Sequence, residues 1–457
     1  MRRRRESGSS FGILFVLLLL AGGAYYLYQS PMFERIAPNV ILDTNGYWNF
    51  KKPLKLNIED TSGIKAYKVI LKTNAKETVL YSEMPMTRSA SIHILVDPPR
   101  ATYSNKDKEI KIIVLAQDAS KWNFLNGNQT IKEFNLKIDK KKPELITIAH
   151  SYKINKGGSA VVIFKVSDEN LKEIYIDTSF GKKFKPQPFY KEGYFISLLA
   201  WPVKEDAFRA TVVAKDYAGN VSKSYIPLYL KQKNYKISKI KISDRFLKGK
   251  IAELADKFLE DEEITNPLEQ FKFVNEDVRA KNEKLIHDIT SKVPGGMIST
   301  FNIKKMKPLK GAMVVATFGD HRKYFYKGKY LSESYHLGLD LASTAQAEIR
   351  PQNSGDVVFS DFNGLYGNMP ILYHGLGLYT LYGHCSSVSV SEGDFVNANQ
   401  IIARTGKTGY AMGDHLHFGV LVQGVEVRPA EWMDQTWIDL NIKKIINEAK
   451  AIIKKNQ

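Results

Sequence analysis

The feature that most limits the fold is a strand pattern that occurs twice in the first half of the chain. Residues 54–71 and 161–178 both alternate apolar and polar side chains, reverse at a turn that contains an aspartate, and resume as a second strand. In residues 111–139 and 209–230, a β-branched run ends in Ala-x-Asp and returns after an Asn/Gly turn. Alternation with a period of two is typical of strands that bury one face. Most of the first half is therefore predicted to be β-structure.

Equivalent aspartates of the two copies lie about 100 residues apart, the length of one β-sandwich domain. The sequence therefore predicts a mainly β chain with two immunoglobulin-like β-sandwiches, over residues 38–140 and 143–232. The turn aspartates, such as Asp60 and Asp168, are expected to accept hydrogen bonds from backbone amides. Calcium binding is the alternative, but the acidic residues are too sparse for a shell of about six oxygen ligands.

The N-terminus predicts where the chain is located. Arginines occupy positions 2–5, and the eighteen residues 11–28 that follow carry no charge. Such a segment approaches the ~20 residues that a membrane-spanning helix needs. Positive charge before it predicts a transmembrane signal anchor over residues 11–28, with residues 1–10 as a basic cytoplasmic tail. A cleaved signal peptide is the alternative, since residues 21–23 form a tolerable cleavage site.

Helical periodicity replaces the strand pattern after residue 242. Apolar residues recur there at spacings of three and four, so residues 243–292 are predicted to be a helical linker. A Pro-Gly-Gly sequence at 294–296 then ends the pattern, and we expect a further domain over residues 300–435. Residues 436–457 predict a C-terminal amphipathic helix that packs on its own domain, with binding to a membrane surface as the alternative.

Histidines are concentrated in this further domain. Five of the nine lie between residues 336 and 417, namely His336, His374, His384, His415 and His417. The surrounding segments alternate like strands and have glycine at nearly every turn. Along a strand, His415 and His417 leave one face while Leu416 and Phe418 enter the opposite, apolar face. Histidines grouped in this way indicate a metal site.

A second pair of possible ligands precedes them. The strand rule places His336 and Asp340 on one face, with Gly338 between them leaving room for an ion. Together with one histidine of His415-x-His417 they supply three ligands, the number that leaves a catalytic zinc one open position. The other histidine of the pair would stand about 6 to 7 Å away and is a candidate acid or base, as is His384.

Cysteine chemistry is excluded from this site. The chain has one cysteine, Cys385, so neither an intrachain disulfide nor a four-thiolate zinc site is possible. We interpret Cys385 as a small packing residue rather than a nucleophile.

Further motifs occur in a fixed order around these residues. They are Gly355-Asp356-Val357-Val358, Tyr366-Gly367-Asn368, Tyr373-His374-Gly375-Leu376-Gly377, Thr380-x-Tyr382-x-His384 and Gly406-Lys407-Thr408-Gly409. With His336-x-x-x-Asp340 and His415-Leu416-His417-Phe418, they resemble the catalytic domain of the lysostaphin and LytM family of zinc peptidoglycan endopeptidases, peptidase family M23. The likeness covers residues 305–433, and Thr317-Phe318-Gly319 with Arg322 resembles the opening strand of that domain.

The resemblance implies roles for particular residues. It implies that His336, Asp340 and His417 bind one Zn²⁺ per chain and that His384 and His415 act in catalysis. The reaction implied is cleavage of the peptide cross-links of bacterial peptidoglycan during cell-wall remodelling. His374 also falls on a recurrent position of the family, and we interpret it as structural. Before and after the His-Leu-His-Phe motif, where the family often has Gly-Pro and Glu, this chain has Gly413-Asp414 and Gly419, neither of which is a metal ligand.

Export and charge complete the prediction. The net charge of +18 indicates an anionic wall or membrane surface as partner, and not nucleic acid, because the chain is predicted to leave the cytoplasm. We expect a single-pass protein of the bacterial inner membrane, with its N-terminus cytoplasmic and its bulk periplasmic or extracellular. The sandwiches would be free to bind wall-synthesis or shape proteins. Segments before the catalytic domain, residues 243–292 among them, are candidates to cover its groove.

Two other classes of function stay open. The first is a non-catalytic member of the same family, a wall-binding or hydrolase-activating scaffold. The second is a membrane-anchored adhesin in which the sandwiches do the binding. A zincin protease is disfavoured, because the chain has no His-Glu-x-x-His sequence.

Overall fold

The computed structural model describes residues 9–74, 76–99, 107–259 and 264–455 of the chain. Contacts divide the chain into two compact units. The first unit comprises Met1–Lys142, Glu169–Lys172 and Lys215–Val221, and the second comprises Pro143–Asp168, Glu173–Ala214 and Ser222–Gln457. The predicted cytoplasmic tail falls largely on residues 1–8, outside the described residues. The predicted domain boundaries stay predictions, whereas the mainly β character is confirmed.

The N-terminal apolar segment is a single helix, α1 (Ser9–Gln29). From Phe11 to Gln29 it is long and apolar enough to cross a membrane, and none of this stretch is buried against the protein. It is therefore a candidate membrane span or signal sequence. A 3₁₀ turn at Pro31–Phe33 follows it, capped by the side chain of Ser30.

The first unit contains two sheets and a short helix. In chain order its elements are β1 (Asn39–Asp43), β2 (Tyr47–Trp48), β3 (Leu54–Glu59), β4 (Ile64–Lys72), β5 (Glu77–Glu83), β6 (Ser91–Val96), β7 (Glu109–Asp118), α2 (Trp122–Leu125) and β8 (Gln129–Ile138). One sheet has the strand order β1-β3-β6 and the other β2-β8-β7-β4-β5. Leu56 of the first sheet and Val69 and Val114 of the second are fully buried in one core. The two sheets therefore form a sandwich, and its immunoglobulin-like character stays an interpretation.

The turn aspartates of this unit bind backbone amides as predicted. The Asp60 carboxylate accepts a hydrogen bond from the amide of Ser62. That of Asp118 accepts bonds from the amides of Ser120 and Asn128. Each carboxylate thus satisfies amides that the reversing chain leaves without a strand partner.

The second unit opens with another set of short sheets. Its strands are β9 (Glu144–His150), β10 (Lys153–Asn155), β11 (Ser159–Ser167), β12 (Leu171–Thr178), β13 (Lys183–Phe184), β14 (Gln187–Phe189), β15 (Lys191–Ala200), β16 (Ala210–Asp216), β17 (Val221–Tyr225) and β18 (Tyr229–Lys231). The sheet orders are β14-β15-β11-β9 and β13-β12-β16-β17, with β10 and β18 forming a separate parallel pair. Strand β11 departs from the predicted alternation, because its first six residues are all buried.

The predicted helical segment is confirmed and begins after strand β19 (Ile237–Lys241). It consists of α3 (Asp244–Phe246), a π-helical stretch (Leu247–Ile251), α4 (Ala252–Phe258), α5 (Pro267–Phe273), a second π-helical stretch (Val274–Val278) and α6 (Arg279–Thr290). The side chains of Ser243 and Asn266 cap its two helical runs. Phe271 and Val274 are buried in one core with Tyr324 and Ile371 of the domain that follows. The helices are thus packed into that domain.

The C-terminal part is built on one large sheet. Its strands are β20 (Met313–Ala316), β21 (His321–Tyr326), β22 (Lys329–Tyr335), β23 (Leu339–Ala342), β24 (Glu348–Ile349), β25 (Gly355–Phe362), β26 (Asn368–Tyr373), β27 (Leu378–Gly383), β28 (Ser387–Val388), β29 (Phe395–Val396), β30 (Ala403–Arg404), β31 (Leu416–Val422) and β32 (Val425–Val427). The main sheet has the order β20-β23-β31-β27-β26-β25-β29, with β32 on β31. Smaller sheets have the orders β24-β30-β28 and β19-β21-β22. A 3₁₀ turn (Gly364–Tyr366) precedes β26.

The chain ends in helices α7 (Pro429–Trp432), α8 (Gln435–Ile438), a π-helical stretch (Asp439–Lys443) and α9 (Lys444–Lys455). The predicted amphipathic helix is confirmed, since Ile445, Ile446, Ala449 and Ile453 are buried. This apolar stripe packs on β9 and β11, which precede the C-terminal domain, so the predicted packing partner, its own domain, is wrong. Helix α9 contacts β11 and covers one of its faces. The alternating pattern predicted polar residues on that face.

Candidate active site

Antiparallel strand pairing brings two of the predicted ligands together. Asp340 on β23 stands directly opposite His417 on β31. On the other side of β31, His417 is paired with Gly383, the last residue of β27. Leu416 and Phe418 are fully buried on the other face of β31, as the alternating pattern predicted. The ligand face of this strand is thus fixed by the burial of its opposite face.

His336 reaches the same point from outside a strand. The prediction of a strand through residues 336–340 is wrong at its start, because β23 begins at Leu339. The backbone of His336 is held instead by its amide, which donates to the carbonyl oxygen of Asp320, and by its own carbonyl, which accepts from Gly319. Its Nδ1 lies 2.9 Å from the carbonyl oxygen of Thr317. Since a carbonyl only accepts, Nδ1 carries the proton and Nε2 is left as a ligand.

The donor atoms of these three residues converge. Asp340 Oδ1 lies 2.9 Å from both His336 Nε2 and His417 Nδ1, and the two nitrogens are 3.1 Å apart. Tetrahedral zinc with bonds of about 2.0 to 2.1 Å would hold its ligand atoms about 3.3 Å apart. The spacing and the nitrogen and oxygen donors therefore fit a zinc ion.

The electrostatics of the cluster favour a cation. Burial by itself would raise the pKa of Asp340, but the adjacent imidazoles of His336 and His417 outweigh it and hold that pKa well below its usual range. Burial lowers the pKa of His417, against the opposing effect of Asp340. An ionised carboxylate beside a neutral imidazole is the protonation state in which these groups bind a metal.

Two further histidines stand beside the cluster. The rings of His384 and His415 are 4.8 Å apart, centre to centre, and that of His384 is 5.8 Å from His417. His384 Nδ1 lies 2.9 Å from the carbonyl oxygen of Thr408, and His415 Nδ1 lies 2.8 Å from that of Gly413. Both rings therefore carry a proton on Nδ1 and keep Nε2 available.

His384 is held in an uncommon environment. Its backbone has a φ of 66°, in the left-handed region that non-glycine residues seldom adopt. Its amide donates to the carbonyl oxygen of Tyr366 at 2.7 Å, which fixes this conformation. Burial, followed by the nearby His417 and His415, lowers the pKa of His384 to about 3. The imidazole is therefore neutral at pH 7 and can accept a proton at Nε2.

These residues line one cleft of about 210 Å³. Several other side chains on its wall were not identified as site residues from the sequence, namely Arg279, Tyr324, Tyr366 and Tyr410. Arg279 belongs to the helical segment, where its position in a helical pattern predicts only an exposed polar face. The Tyr366-Gly367-Asn368 motif was the one signal for Tyr366, whose ring centre lies 5.5 Å from that of His417.

The remaining histidine and the cysteine are packed away from the cleft. His374 is bonded through its two ring nitrogens to the Ser354 carbonyl and the Thr380 hydroxyl, at 2.9 and 2.7 Å. Burial lowers the pKa of His374 to about 4. Burial also raises the pKa of the Cys385 thiol to about 12, and its Sγ donates to the carbonyl oxygen of Tyr382. A protonated, buried thiol is a poor nucleophile.

Gly338 makes room for a ligand residue. A Cβ atom at this position would collide with Nε2 and Cε1 of His417. The space at Gly338 is thus occupied by the imidazole, whereas the sequence analysis assigned it to the ion. We expect Gly338→Ala to displace His417 and to weaken metal binding by at least ~10-fold, the lower end of what disturbing a ligand's support costs.

Metal content after dialysis against a weak chelator measures this effect. Gly413→Ala is the matched control, because a Cβ there meets no atom within 4 Å. Equal metal retention in the two variants would show that the contact at Gly338 does not control the position of His417.

One family model matches the part of the chain that carries the predicted ligands. Residues 334–429 match the model of peptidase family M23. This range contains every predicted ligand and both candidate catalytic histidines. It leaves out the helical segment and Arg279.

Curated relatives match a similar length of the chain. The DD-carboxypeptidase/endopeptidase Mpg of Neisseria meningitidis is 35% identical over 94 residues, which are 21% of this chain and 22% of the relative. The peptidoglycan DD-endopeptidase ShyB of Vibrio cholerae is 31% identical over 134 residues, 29% of each chain. The murein hydrolase activator EnvC of Escherichia coli is 32% identical over 96 residues, 21% of this chain and 23% of the relative. The similarity thus spans about a quarter of each relative's length.

Proposed function

Because residues 334–429 of this chain form a domain of peptidase family M23, we propose that the protein is a zinc-dependent endopeptidase that cleaves the peptide cross-links of bacterial peptidoglycan. The observation that carries the proposal is the convergence of His336, Asp340 and His417 on one point. His384 and His415 stand beside that point in the same cleft.

His336, Asp340 and His417 would hold the ion. When bound, zinc would act as a Lewis acid. It would polarise the scissile carbonyl and make hydroxide available near pH 7. Two of these ligands are held in position by other groups of the protein. The His336 ring is oriented by the Thr317 carbonyl, and Asp340 Oδ2 lies 3.7 Å from the guanidinium of Arg322.

His384 and His415 would move the protons. Attack of water on the carbonyl carbon forms a C–O bond and releases a proton, which the lone pair on Nε2 of one of these rings accepts. The same proton is then delivered to the leaving amine nitrogen as the C–N bond breaks. His415 Nε2 lies 3.8 Å from Asp340 Oδ2, so it stands next to the ligand cluster.

The location of the protein is part of the proposal. As a signal anchor, α1 would fix the chain in the inner membrane with the basic tail in the cytoplasm. The remainder would then face the periplasm, where peptidoglycan lies. The sandwiches would offer surfaces to wall-synthesis or shape proteins.

A non-catalytic activator of other wall hydrolases is the second candidate. The similarity to a murein hydrolase activator supports it. The complete His336, Asp340 and His417 set favours the enzyme, since an activator has no use for a buried carboxylate between two imidazoles.

Digestion of purified peptidoglycan by the full-length protein tests the proposal. We expect soluble muropeptides to be released, the release to fall to background after treatment with a chelator, and added zinc to restore it. Mass spectrometry of the products identifies the bond. The Asp340→Asn variant, purified in the same way, reveals contaminating hydrolases. Release that resists the chelator, or that the variant matches, would contradict a zinc-dependent reaction.

A further inference from the structure

One cation on the wall of the cleft is supplied from outside the family domain. Arg279 is the first residue of α6, in the helical segment that precedes residues 334–429. Its side chain lines the same cleft as His384, His415 and His417. The part of the chain that carries the ligands is therefore not the whole of the candidate site.

The guanidinium is anchored along one edge only. Its Nε donates to the carbonyl oxygen of Asn275 at 3.1 Å, and its Nη2 donates to Asn275 Oδ1 at 3.0 Å. Asn275 is buried, and its Nδ2 donates to Ser332 Oγ at 2.8 Å, which ties it to β22. Among the described residues, Nη1 has no hydrogen-bond acceptor. The edge formed by Nε and Nη2 is thus held in place, while Nη1 remains available to a ligand.

An aromatic wall supports the same side chain. The guanidinium carbon of Arg279 lies 5.9 Å from the centre of the Tyr410 ring. Tyr410 in turn packs edge-on against Phe246, with ring centres 5.3 Å apart. A guanidinium beside an aromatic ring loses part of its hydration and has its orientation restricted.

Among the described residues Arg279 is not in direct contact with a carboxylate, although Glu283 of the same helix interacts with it electrostatically. The other arginine of the cleft, Arg322, lies 3.6 Å from a carboxylate oxygen of Asp320 and 3.7 Å from one of Asp340. Arg279 has no carboxylate within 4.0 Å among the residues that the structure describes. Glu283, one turn further along α6, lies 4.0 Å from Lys204. Of the two arginines that line the cleft, Arg279 is the one with no carboxylate within 4.0 Å in the described part of the chain.

We propose that Arg279 is a specificity-determining residue, whose guanidinium binds a free carboxylate of the peptide substrate next to the scissile bond. The planar, fixed donors of arginine match the two oxygens of a carboxylate. A half-buried cation with no carboxylate in contact gains from an anionic ligand, since part of its dehydration already belongs to the folded state. The inference rests on the proposed function and adds Arg279, from outside the family domain, as the group that recognises a free carboxylate beside the scissile bond.

Two synthetic cross-linked peptides test this assignment. They share one scissile bond and differ only in carrying a free carboxylate or a carboxamide on the residue next to it. For the full-length wild type we expect kcat/KM to be about 10- to 100-fold higher for the acid, the range that a charged hydrogen bond gives. In Arg279→Gln the ratio should fall to about 1 through a higher KM for the acid. Arg279→Lys should recover part of the preference.

Lys281→Gln is the matched control, because it removes one positive charge from the same helix at an exposed position outside the cleft. It should keep the wild-type ratio. A wild-type ratio of about 1, an unchanged ratio in Arg279→Gln, or an equal loss in Lys281→Gln would each overturn the inference. The thermal unfolding midpoints of all variants show whether the fold is kept.

Calorimetric binding of the same two peptides separates this inference from the proposed reaction. If the wild type cleaves neither peptide, the proposed function fails. A preference for the acid that Arg279→Gln abolishes would still support Arg279 as a carboxylate-binding residue. Equal binding of acid and amide by the wild type would overturn it.

Discussion

Exchange of Asp340 for asparagine is expected to leave a folded protein that neither retains zinc nor cleaves peptidoglycan. Asp340 Oδ1 lies 2.9 Å from a nitrogen of each ligand histidine, so two of the three contacts in the cluster include this carboxylate. Asparagine keeps the shape but removes the negative charge that offsets the charge of the cation. Its amide nitrogen also donates rather than accepts, which makes half of the group unfit as a ligand.

The expected loss of metal affinity in Asp340→Asn is large enough to distinguish it from the effect of a general loss of stability. Loss of an outer partner of a metal ligand typically costs 10- to 100-fold in metal affinity or activity, and loss of a ligand should exceed ~100-fold. Elemental analysis of the dialysed protein gives the metal content, and muropeptide release gives the activity. His336→Ala and His417→Ala should behave in the same way.

A matched control tests whether the effect depends on where the negative charge lies. Asp361→Asn makes the same exchange on β25 of the same sheet, at an exposed residue outside the cleft. It should leave both metal content and cleavage unchanged. An Asp340→Asn protein with full metal content and full activity would show that the convergence of the three residues is not a metal site.

The part of the site that the sequence predicted is the part that strand periodicity controls. His415 and His417 share a face because Leu416 and Phe418 are buried on the other, and a period of two leaves no other arrangement. That Asp340 is opposite His417 depends on the pairing of β23 with β31, two strands far apart in sequence. The resemblance to a family supplied that pairing indirectly, whereas periodicity alone could not.

The features that the sequence missed depend on contacts between distant segments. His336 was predicted as a ligand, but the predicted strand at this residue was wrong, because it lies before the start of β23 and is held by the backbone of Asp320. Arg279 looks like any polar residue of a helix until α6 is packed against the cleft. The burial of β11 on both faces likewise follows from α9, which lies at the other end of the second unit.

The second large effect is expected at His415, where loss of cleavage should occur without loss of the metal. Its Nε2 is 3.8 Å from Asp340 Oδ2, and its ring is 4.8 Å from that of His384. It is not among the three residues whose donor atoms converge. We therefore expect His415→Ala to retain zinc at the wild-type level while cleavage falls by about 10²- to 10⁴-fold, the usual contribution of a general acid or base.

The comparison of His415→Ala with His336→Ala distinguishes the remaining alternatives. If His415→Ala also loses the metal, His415 is a ligand and the open coordination position is lost with it. If cleavage persists in both His415→Ala and His384→Ala, the protons move through other groups and neither imidazole is catalytic. If the wild type itself releases no muropeptides yet stimulates another wall hydrolase equally well with or without these histidines, the protein acts as an activator. Because metal content and cleavage are measured on each variant, these outcomes separate ligand, catalyst and scaffold.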